Sequence, residues 1–532
     1  MLMTEESFLR GAFILALSSG ISRVLGIVYI IFIPRIILDE GMGLIQLVKP
    51  IHYFAVVIAI LGMPTAVSIL VAEKAAQGSI PGVFRVLRVS FLILVATGLG
   101  ACGAMWASAS FFSGHVIKDP GVYLIILVMA PSAFFYALGG AFRGFFQGLQ
   151  HMTPTAVSQV LDQIVRVVLT ITLAIWLMPH GVELAVAGTA MAVVAGEFVS
   201  VLTLFTFFMV QKQSLVAKIA RRSRPDYEPG RKLCKRLLRL ALPIVLTTVL
   251  WPIMQMLDTV LIPERMQAAG FDQAQIRELM GYLGMALTLS QLPNIITVAM
   301  STSLIPAISE AATLGSKRLV AKRTREAIRI ALIFGLPSFA ALFVLAEPIS
   351  QLLFSYPQVG APLRILAIGT ITLGTIQATT GVLEGMSLVM IPVKNLLVGV
   401  GVKFVCNYLL TGIPGVGITG AAWGTTLGWL VVAFLNVYSV CQQVDLRINV
   451  KEVLLKPVGA ALITALSLHY LFDTLHVLGP NTATLLTVTW SMSLYFLLLM
   501  MMGAIHEKDV RLLPKVGTPL ADWLYTWGFL RK

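Results

Sequence analysis

The sequence predicts an all-α fold, a polytopic membrane bundle of about fourteen transmembrane helices. Apolar residues make up 57% of the 532 residues and charged residues only 12%, whereas a soluble domain carries about 25% charge because water must wet its surface. The apolar residues form runs of about twenty, the length of helix that crosses about 30 Å of hydrocarbon. Barrel strands are shorter and alternate in polarity. Since backbone groups in lipid need internal hydrogen bonds, these runs indicate helices.

The apolar runs define the individual spans. Each run is bounded by charged, glycine-rich or proline-containing stretches. The predicted spans cover residues 11–33, 44–71, 84–110, 122–146, 154–178, 184–210, 238–262, 281–307, 326–346, 364–388, 392–411, 419–441, 453–475 and 483–503. An even number of spans places both termini on the same side of the membrane.

The lysines and arginines indicate which side each loop faces. If the N-terminus is cytoplasmic and residues near a span end are counted with the adjoining loop, 30 of the 39 basic residues fall on the cytoplasmic side, six fall on the outer side and three lie in span interiors. This asymmetry follows the positive-inside rule and predicts that both termini are cytoplasmic. The net charge of +14 is then explained by topology and by anionic lipid headgroups, and not by nucleic acid.

A pattern of glycines and basic residues occurs twice. Gly148 and Arg166 are 18 residues apart, as are Gly385 and Lys403, and each set is followed by two glycines eight residues apart: Gly188 with Gly196, and Gly420 with Gly428. Two copies of six spans would form parallel, pseudo-symmetric lobes. The predicted domains are a six-helix lobe, a basic cytoplasmic linker, a second six-helix lobe, and two extra helices with a tail: 1–210, 211–237, 238–441 and 442–532. Chance similarity among glycine-rich helices is the alternative.

Charged and polar residues inside spans are the candidate substrate-binding residues. A charge at the centre of a membrane costs at least about 2.5 kcal/mol unless it has a partner or an aqueous cavity. Spacings of three and four put Gln159, Asp162 and Arg166 on one helical face. Because an arginine fork matches phosphate oxygens, the predicted ligand is anionic. A salt bridge within the helix is the structural alternative for Asp162 and Arg166. The remaining candidates are Arg23, Glu197, Lys403 and Asn407.

Two smaller sets of residues suggest further roles. Arg143, Gln147 and His151 flank a glycine-rich turn at the predicted cytoplasmic edge, where they would form a gate, contact headgroups or only anchor the chain. Asp258 and Glu197 are candidates for ion coupling. Nucleotide-binding, zinc-protease and cysteine–histidine motifs are missing from the sequence. It therefore predicts a transporter and not an enzyme, with no metal and no cofactor, driven by a coupling ion or by the membrane potential.

Three segments resemble a known group of transporters: SRVLG (22–26), FRGFFQGLQHMTPTAVSQVLDQIVRV (142–167) and STSLIPAISEA (301–311). They resemble the polysaccharide-transport and flippase branch of the multidrug/oligosaccharidyl-lipid/polysaccharide superfamily. The resemblance implies a flippase of the bacterial cytoplasmic membrane that moves a lipid-linked oligosaccharide, such as a lipid II-like peptidoglycan precursor, to the outer leaflet. Alternating access between two lobes would serve cell-wall or spore-cortex synthesis.

The resemblance also carries expectations for single residues. It implies that Arg23 lines a central cavity. Tyr29 and the run IHYFAVV (51–57) stand where related proteins often carry further arginines, so Arg166 and Lys403 would supply the positive charge instead. The last two helices would form a groove for a polyprenyl tail.

Two other functions stay open at the level of the sequence. A multidrug or cation antiporter of the same superfamily would bind its cation on buried carboxylates such as Asp258 and Glu197. A membrane scaffold for cell-wall synthesis would use the basic central loop. The expected partners of a flippase are its lipid-linked oligosaccharide substrate, membrane lipids and cell-wall synthesis proteins, with no nucleic acid.

Overall fold

A computed structural model describes residues 5–220, 228–444 and 454–503, where all regular elements are helical and no strand occurs. Ten of these helices are long and apolar enough to cross a membrane, and two helix pairs bent by 51° and 42° raise the number to twelve. The predicted all-α membrane bundle is therefore confirmed. The count of fourteen stays a prediction. Part of the predicted linker and the predicted cytoplasmic tail lie outside the described residues.

The chain forms two compact units, which divide within the ninth helix. The first unit runs to residue 267 and includes 271–281, and the second comprises 268–270 and the residues from 282 onward. The helices up to the division are α1 (Glu5–Ile60), α2 (Met63–Ala76), α3 (Ile80–Phe111), α4 (Gly121–Gly148), α5 (Thr153–Leu177), α6 (Val182–Ala220), α7 (Gly230–Thr248), α8 (Leu250–Ala268) and α9 (Gln273–Gln291). The predicted lobe boundaries stay a prediction.

The second unit contains the remaining helices. They are α10 (Asn294–Thr313), α11 (Lys317–Val344), α12 (Ala346–Phe354), α13 (Gly360–Leu366), α14 (Gly369–Gly385), α15 (Met390–Thr411), α16 (Gly417–Gln443), α17 (Lys456–Leu475) and α18 (Pro480–Met501). Its core includes a cluster in which Ile328, Leu332 and Leu336 of α11 pack with Tyr495 and Leu499 of α18.

The first helix contains a break that separates two predicted spans. A straight helix of 56 residues would be about 84 Å long, far more than one membrane crossing needs. Leu38 has φ 62° and ψ −179°, which interrupts the helix between the predicted spans 11–33 and 44–71. A leucine in this region of backbone space is strained, so the surrounding packing must stabilise it.

The duplicated glycine pattern produces similar packing within each unit. In the first unit, a Cβ atom added to Gly196 of α6 would lie 3.5 Å from Cβ of Arg166 on α5. In the second unit, a Cβ atom added to Gly428 of α16 would lie 2.9 Å from Cβ of Lys403 on α15. Each glycine thus lets its helix pack directly against the equivalent basic residue of the preceding helix, as small residues do between membrane helices.

A group of charges at the predicted outer end of the first unit joins the segment before α4 to α6 and α9. Arg277 Nε donates to Asp119 Oδ2 at 2.6 Å, and Arg277 Nη2 donates to Glu183 Oε1 at 3.0 Å. The backbone N–H of Gly121 donates to Asp119 at 2.9 Å. Burial by itself raises the pKa of Asp119, but the hydrogen bonds from Arg277 and Gly121 hold it below its ordinary value. The hydrogen bonds to Asp119 and Glu183 in turn raise the pKa of Arg277.

We expect Asp119→Asn to destabilise the protein by about 3 kcal/mol, because the partly buried Arg277 loses a fully buried carboxylate partner. The measurement is the Tm of purified protein in detergent at pH 7. Since the folded-state pKa of Asp119 is lowered, its stabilisation is complete above the ordinary value of 3.8 and is lost as the pH falls through the folded-state pKa.

As the pH falls below about 4, the Tm of the wild type should therefore fall more steeply than that of Asp119→Asn. Asp473→Asn is the matched control, because this carboxylate is 66% exposed and lies 3.9 Å from its histidine partner. Parallel Tm curves for the wild type and Asp119→Asn would contradict the assignment.

Candidate functional site

Four charged side chains meet inside the first unit, where α4, α5 and α6 pack together. Arg166 Nη2 donates to both carboxylate oxygens of Asp162, at 3.1 and 3.2 Å, and to Glu197 Oε1 at 3.1 Å. Arg143 Nη2 donates to Glu197 Oε2 at 3.3 Å and to Ser200 Oγ at 3.0 Å. Glu197 of α6 therefore bridges two arginines from different helices. We call Arg143, Asp162, Arg166 and Glu197 the central ion cluster.

Helix periodicity and one glycine position this cluster. Asp162 and Arg166 are four residues apart on α5, so their side chains share one face. A Cβ atom added to Gly196 would lie 2.4 Å from Asp162 Oδ1, so the glycine allows α5 and α6 to approach closely. Glu197 follows it directly and has a side chain only 5% exposed. A carboxylate so buried requires ionic or hydrogen-bonding partners, which the two arginines provide.

A cavity of about 310 Å³ opens beside the central ion cluster, within the first unit. Its charged lining residues are Arg166 and Glu197, and its polar lining includes His52, which hydrogen bonds to Ser132 at 2.7 Å. This volume lies at the lower end of the range of about 300–1,000 Å³ that is typical of ligand sites. The other lining residues are Tyr53, Val56, Val57, Tyr136, Val193, Thr248, Trp251 and Pro252.

Both arginines retain donors that have no acceptor in the described part of the protein. Nε of Arg143 and Nε of Arg166 are buried without a hydrogen-bond partner. The ring of Tyr136 lies 4.9 Å from Cζ of Arg143, a cation–π contact that holds the guanidinium plane. Because a guanidinium matches two oxygens of a phosphate or carboxylate, the unused donors suit an anionic ligand.

In the second unit, Lys403 and Asn407 lie together on α15, and both are buried. A Cβ atom added to Gly424 of α16 would lie only 2.0 Å from Asn407 Oδ1, so α15 and α16 pack as tightly as α5 and α6. The predicted pair is thus placed at a helix interface. Its predicted role in substrate binding stays a prediction.

The second unit does not repeat the charges of the central ion cluster. Equivalent positions follow from the paired glycines, which relate Arg166 to Lys403 and Gly196 to Gly428. The counterparts of Arg143, Asp162 and Glu197 are uncharged residues: Thr380, Gly399 and Trp429. The bridging carboxylate is therefore a property of the first unit and not a requirement of the duplicated helix packing.

The other predicted site residues lie outside the central ion cluster. Arg23 is exposed on α1, does not line the cavity, and forms no ion pair with another described residue. Gln159 is half-buried on α5, and Asp258 is half-buried on α8. Gln147, at the end of α4, and His151, just after it, are also half-buried. Their predicted functions stay predictions.

Several residues of the site were not predicted from the sequence. Arg143 was predicted as part of a gate, as a headgroup contact or as an anchor, and its hydrogen bond to Glu197 was not predicted. The neutral residues that line the cavity carry no charge, so they did not stand out in the sequence as candidate site residues. One sequence feature could have indicated part of the cavity lining. The run at 51–57 stands where related proteins often carry arginines, and its His52 lines the cavity.

The sequence matches the family described as "Polysaccharide biosynthesis protein" over residues 8–312, more than half of the chain. The chain belongs to the polysaccharide biosynthesis protein family. This family member is 28% identical to stage V sporulation protein B of Bacillus subtilis (strain 168) over 521 residues, which are 97% of this chain and 99% of that protein. It is 27% identical to the lipid II flippase MurJ of the same organism, over 80% of this chain and 81% of that protein. The predicted family resemblance is confirmed.

Solved structures show which fold this chain has. The lipid II flippase MurJ in an inward closed conformation matches 91% of this chain and 99% of its own chain, with a TM-score of 0.65 and 15% identity. An inward-facing multidrug resistance MATE family transporter of the MOP superfamily matches 80% of this chain and 94% of its own, with a TM-score of 0.66 and 17% identity. The family member therefore has the fold of these transporters.

Proposed function

We propose that the protein is a flippase, and not an enzyme, that translocates a lipid-linked oligosaccharide from the cytoplasmic to the outer leaflet of the bacterial cytoplasmic membrane. The proposed substrate is a lipid II-like peptidoglycan precursor, used in cell-wall or spore-cortex synthesis. The observation that carries the proposal is the cavity lined by Arg166 between the helices of the first unit, with unused arginine donors beside it. Similarity to a lipid II flippase over most of both chains supports the same function.

The arrangement favours a diphosphate as the recognised group. A saccharide offers hydroxyl groups to His52 and the tyrosines of the cavity, while phosphate oxygens would accept from Arg166. Translocation then requires alternating access, with both termini cytoplasmic and a coupling ion or the membrane potential as the energy source. Lys403 and Asn407 would act in the second lobe, and Arg23 would contact substrate from the first helix.

An ion-coupled multidrug or cation antiporter is the second candidate. The carboxylates of Asp162 and Glu197 support it, as does the fold shared with MATE transporters. However, a cation would have to compete with two permanently charged guanidinium groups for these carboxylates. The flippase is therefore the function that the charges of the site support better.

A vesicle assay separates the two functions. Full-length protein is reconstituted with a fluorescent lipid-linked disaccharide diphosphate, and exposure of the saccharide on the opposite leaflet is measured with and without a membrane potential. The flippase predicts protein-dependent exposure and no transport of ethidium. Ethidium transport without saccharide exposure would establish the antiporter, and the absence of both activities would overturn both proposals.

A further inference from the structure

We propose that Glu197 is an internal counter-ion that occupies the two arginines until the anionic group of the substrate displaces it. This inference rests on the proposed flippase function and assigns one residue a specific task in it. The ligand chemistry is a diphosphate, carried by a polyprenyl lipid. Glu197 would be a positioning residue, because it acts on the arginines and not on the substrate itself.

The contacts of Glu197 resemble those of a bridging oxyanion. Its two carboxylate oxygens accept from different guanidinium groups, at 3.1 Å from Arg166 and 3.3 Å from Arg143. A phosphate between the same two forks would have the same partners and could also use the Nε donors that have no acceptor now. Glu197 therefore satisfies the arginines only in part, which leaves them able to bind a better acceptor.

Glu197 also controls whether Arg143 can reach the cavity. Arg166 and Glu197 line the cavity, but Arg143 does not. Arg143 lies behind the glutamate, where it is bonded to Glu197 and Ser200 and stacked on Tyr136. A shift of the Glu197 side chain would open the second guanidinium to the cavity without moving a helix. Asp162 is bonded to Arg166 of its own helix and can stay as a fixed partner.

The charge balance of the central ion cluster makes this displacement necessary. Two arginines and two carboxylates sum to zero, so the site as it stands offers no net charge to an anion. Bringing a diphosphate into a buried neutral site costs desolvation without a compensating net attraction. When Glu197 gives way, two arginines face one carboxylate and the site becomes positive. Its return to the arginines then assists release of the diphosphate and lets the cycle continue.

The second unit indicates that packing does not require this glutamate. The equivalent of Glu197 is Trp429, and α15 and α16 still pack closely there. The carboxylate occurs only where the arginine pair occurs. The presence of the carboxylate therefore follows the arginine pair and not the helix packing.

The test compares Glu197→Gln with Glu197→Asp in full-length protein in nanodiscs, using inorganic pyrophosphate and a polyprenyl diphosphate as probes. Removing the competing charge should tighten diphosphate binding about 10-fold while the transport rate falls about 10-fold. Glu197→Asp keeps the charge and should stay close to the wild type in affinity. Glu310→Gln, whose carboxylate is 66% exposed, is the matched control and should change neither quantity.

The outcomes separate this inference from the function on which it rests. Weaker binding in Glu197→Gln would make the residue merely structural and would overturn the exchange. Failure of the wild type to bind either probe would instead overturn the proposed function. Tightening with both probes supports exchange with a lipid-linked diphosphate, and tightening with pyrophosphate alone supports exchange with a free anion.

A second measurement needs no variant and so does not depend on folding of Glu197→Gln. In the wild type, displacement by pyrophosphate should release Glu197 from its arginines and increase its labelling by a hydrophobic carbodiimide, as read by mass spectrometry. Unchanged or reduced labelling at saturating pyrophosphate would contradict displacement.

Discussion

Replacing Arg166 with alanine should reduce translocation of the lipid-linked substrate about 100-fold or more. Arg166 is the guanidinium that lines the cavity, and truncating one member of a buried charge network costs about 2–5 kcal/mol, which corresponds to this factor. The change also leaves Asp162 and Glu197 with only Arg143, so the central ion cluster becomes net negative and repels an anion. The measurement is saccharide exposure in reconstituted vesicles, together with complementation of flippase-depleted cells.

Two further variants give this experiment its controls. Arg239→Ala removes an exposed arginine of α7 and should transport like the wild type. Arg166→Lys keeps the charge but loses the planar fork, so it should retain intermediate activity, about 10-fold below the wild type. Wild-type complementation by Arg166→Ala, with normal amounts of protein in the membrane, would remove Arg166 from the substrate site.

The membrane bundle and part of the central ion cluster could be predicted because their signals are local in sequence. Apolar runs of membrane length define helices without knowledge of their neighbours. A charge in such a run is costly, which made Asp162, Arg166 and Glu197 visible as candidates. The i,i+4 spacing predicted that Asp162 and Arg166 share one helical face. The structure shows a salt bridge between them, as the alternative of an intrahelical salt bridge required. That salt bridge is extended to a second helix through Glu197.

Contacts between side chains on different helices could not be predicted from the sequence. Arg143 follows the positive-inside rule equally well as an anchor or as a partner of Glu197, and only the packing of α4 on α6 distinguishes these roles. His52 and Ser132 are neutral, 80 residues apart, and bear no charge that a membrane would penalise. Arg23 is the opposite case. Its charge within an apolar run identified it as a candidate, but its side chain is exposed and does not line the cavity.

Gly196→Val should reduce transport about 100-fold although all four charges of the central ion cluster remain. The added Cβ would lie 2.4 Å from Asp162 Oδ1 and 3.0 Å from its backbone oxygen, so α5 and α6 must separate or Asp162 must move. Separation of the helices lengthens the contact between Arg166 and Glu197, and movement of Asp162 lengthens its contact with Arg166. We expect overpacking to cost about 1–3 kcal/mol in stability. Transport should fall about 100-fold in the vesicle assay, because the loss of one buried charge contact is of that size.

The control and a compensating change separate helix packing from charge. Gly103→Val adds the same atoms on α3, where a Cβ meets nothing within 4 Å, and should leave the Tm and transport close to wild-type values. Adding Asp162→Ala to Gly196→Val removes the clashing carboxylate and should recover part of the Tm. Transport should stay low in this double variant, because the central ion cluster has then lost a member. Wild-type transport by Gly196→Val would mean that the close approach of α5 and α6 does not position the site.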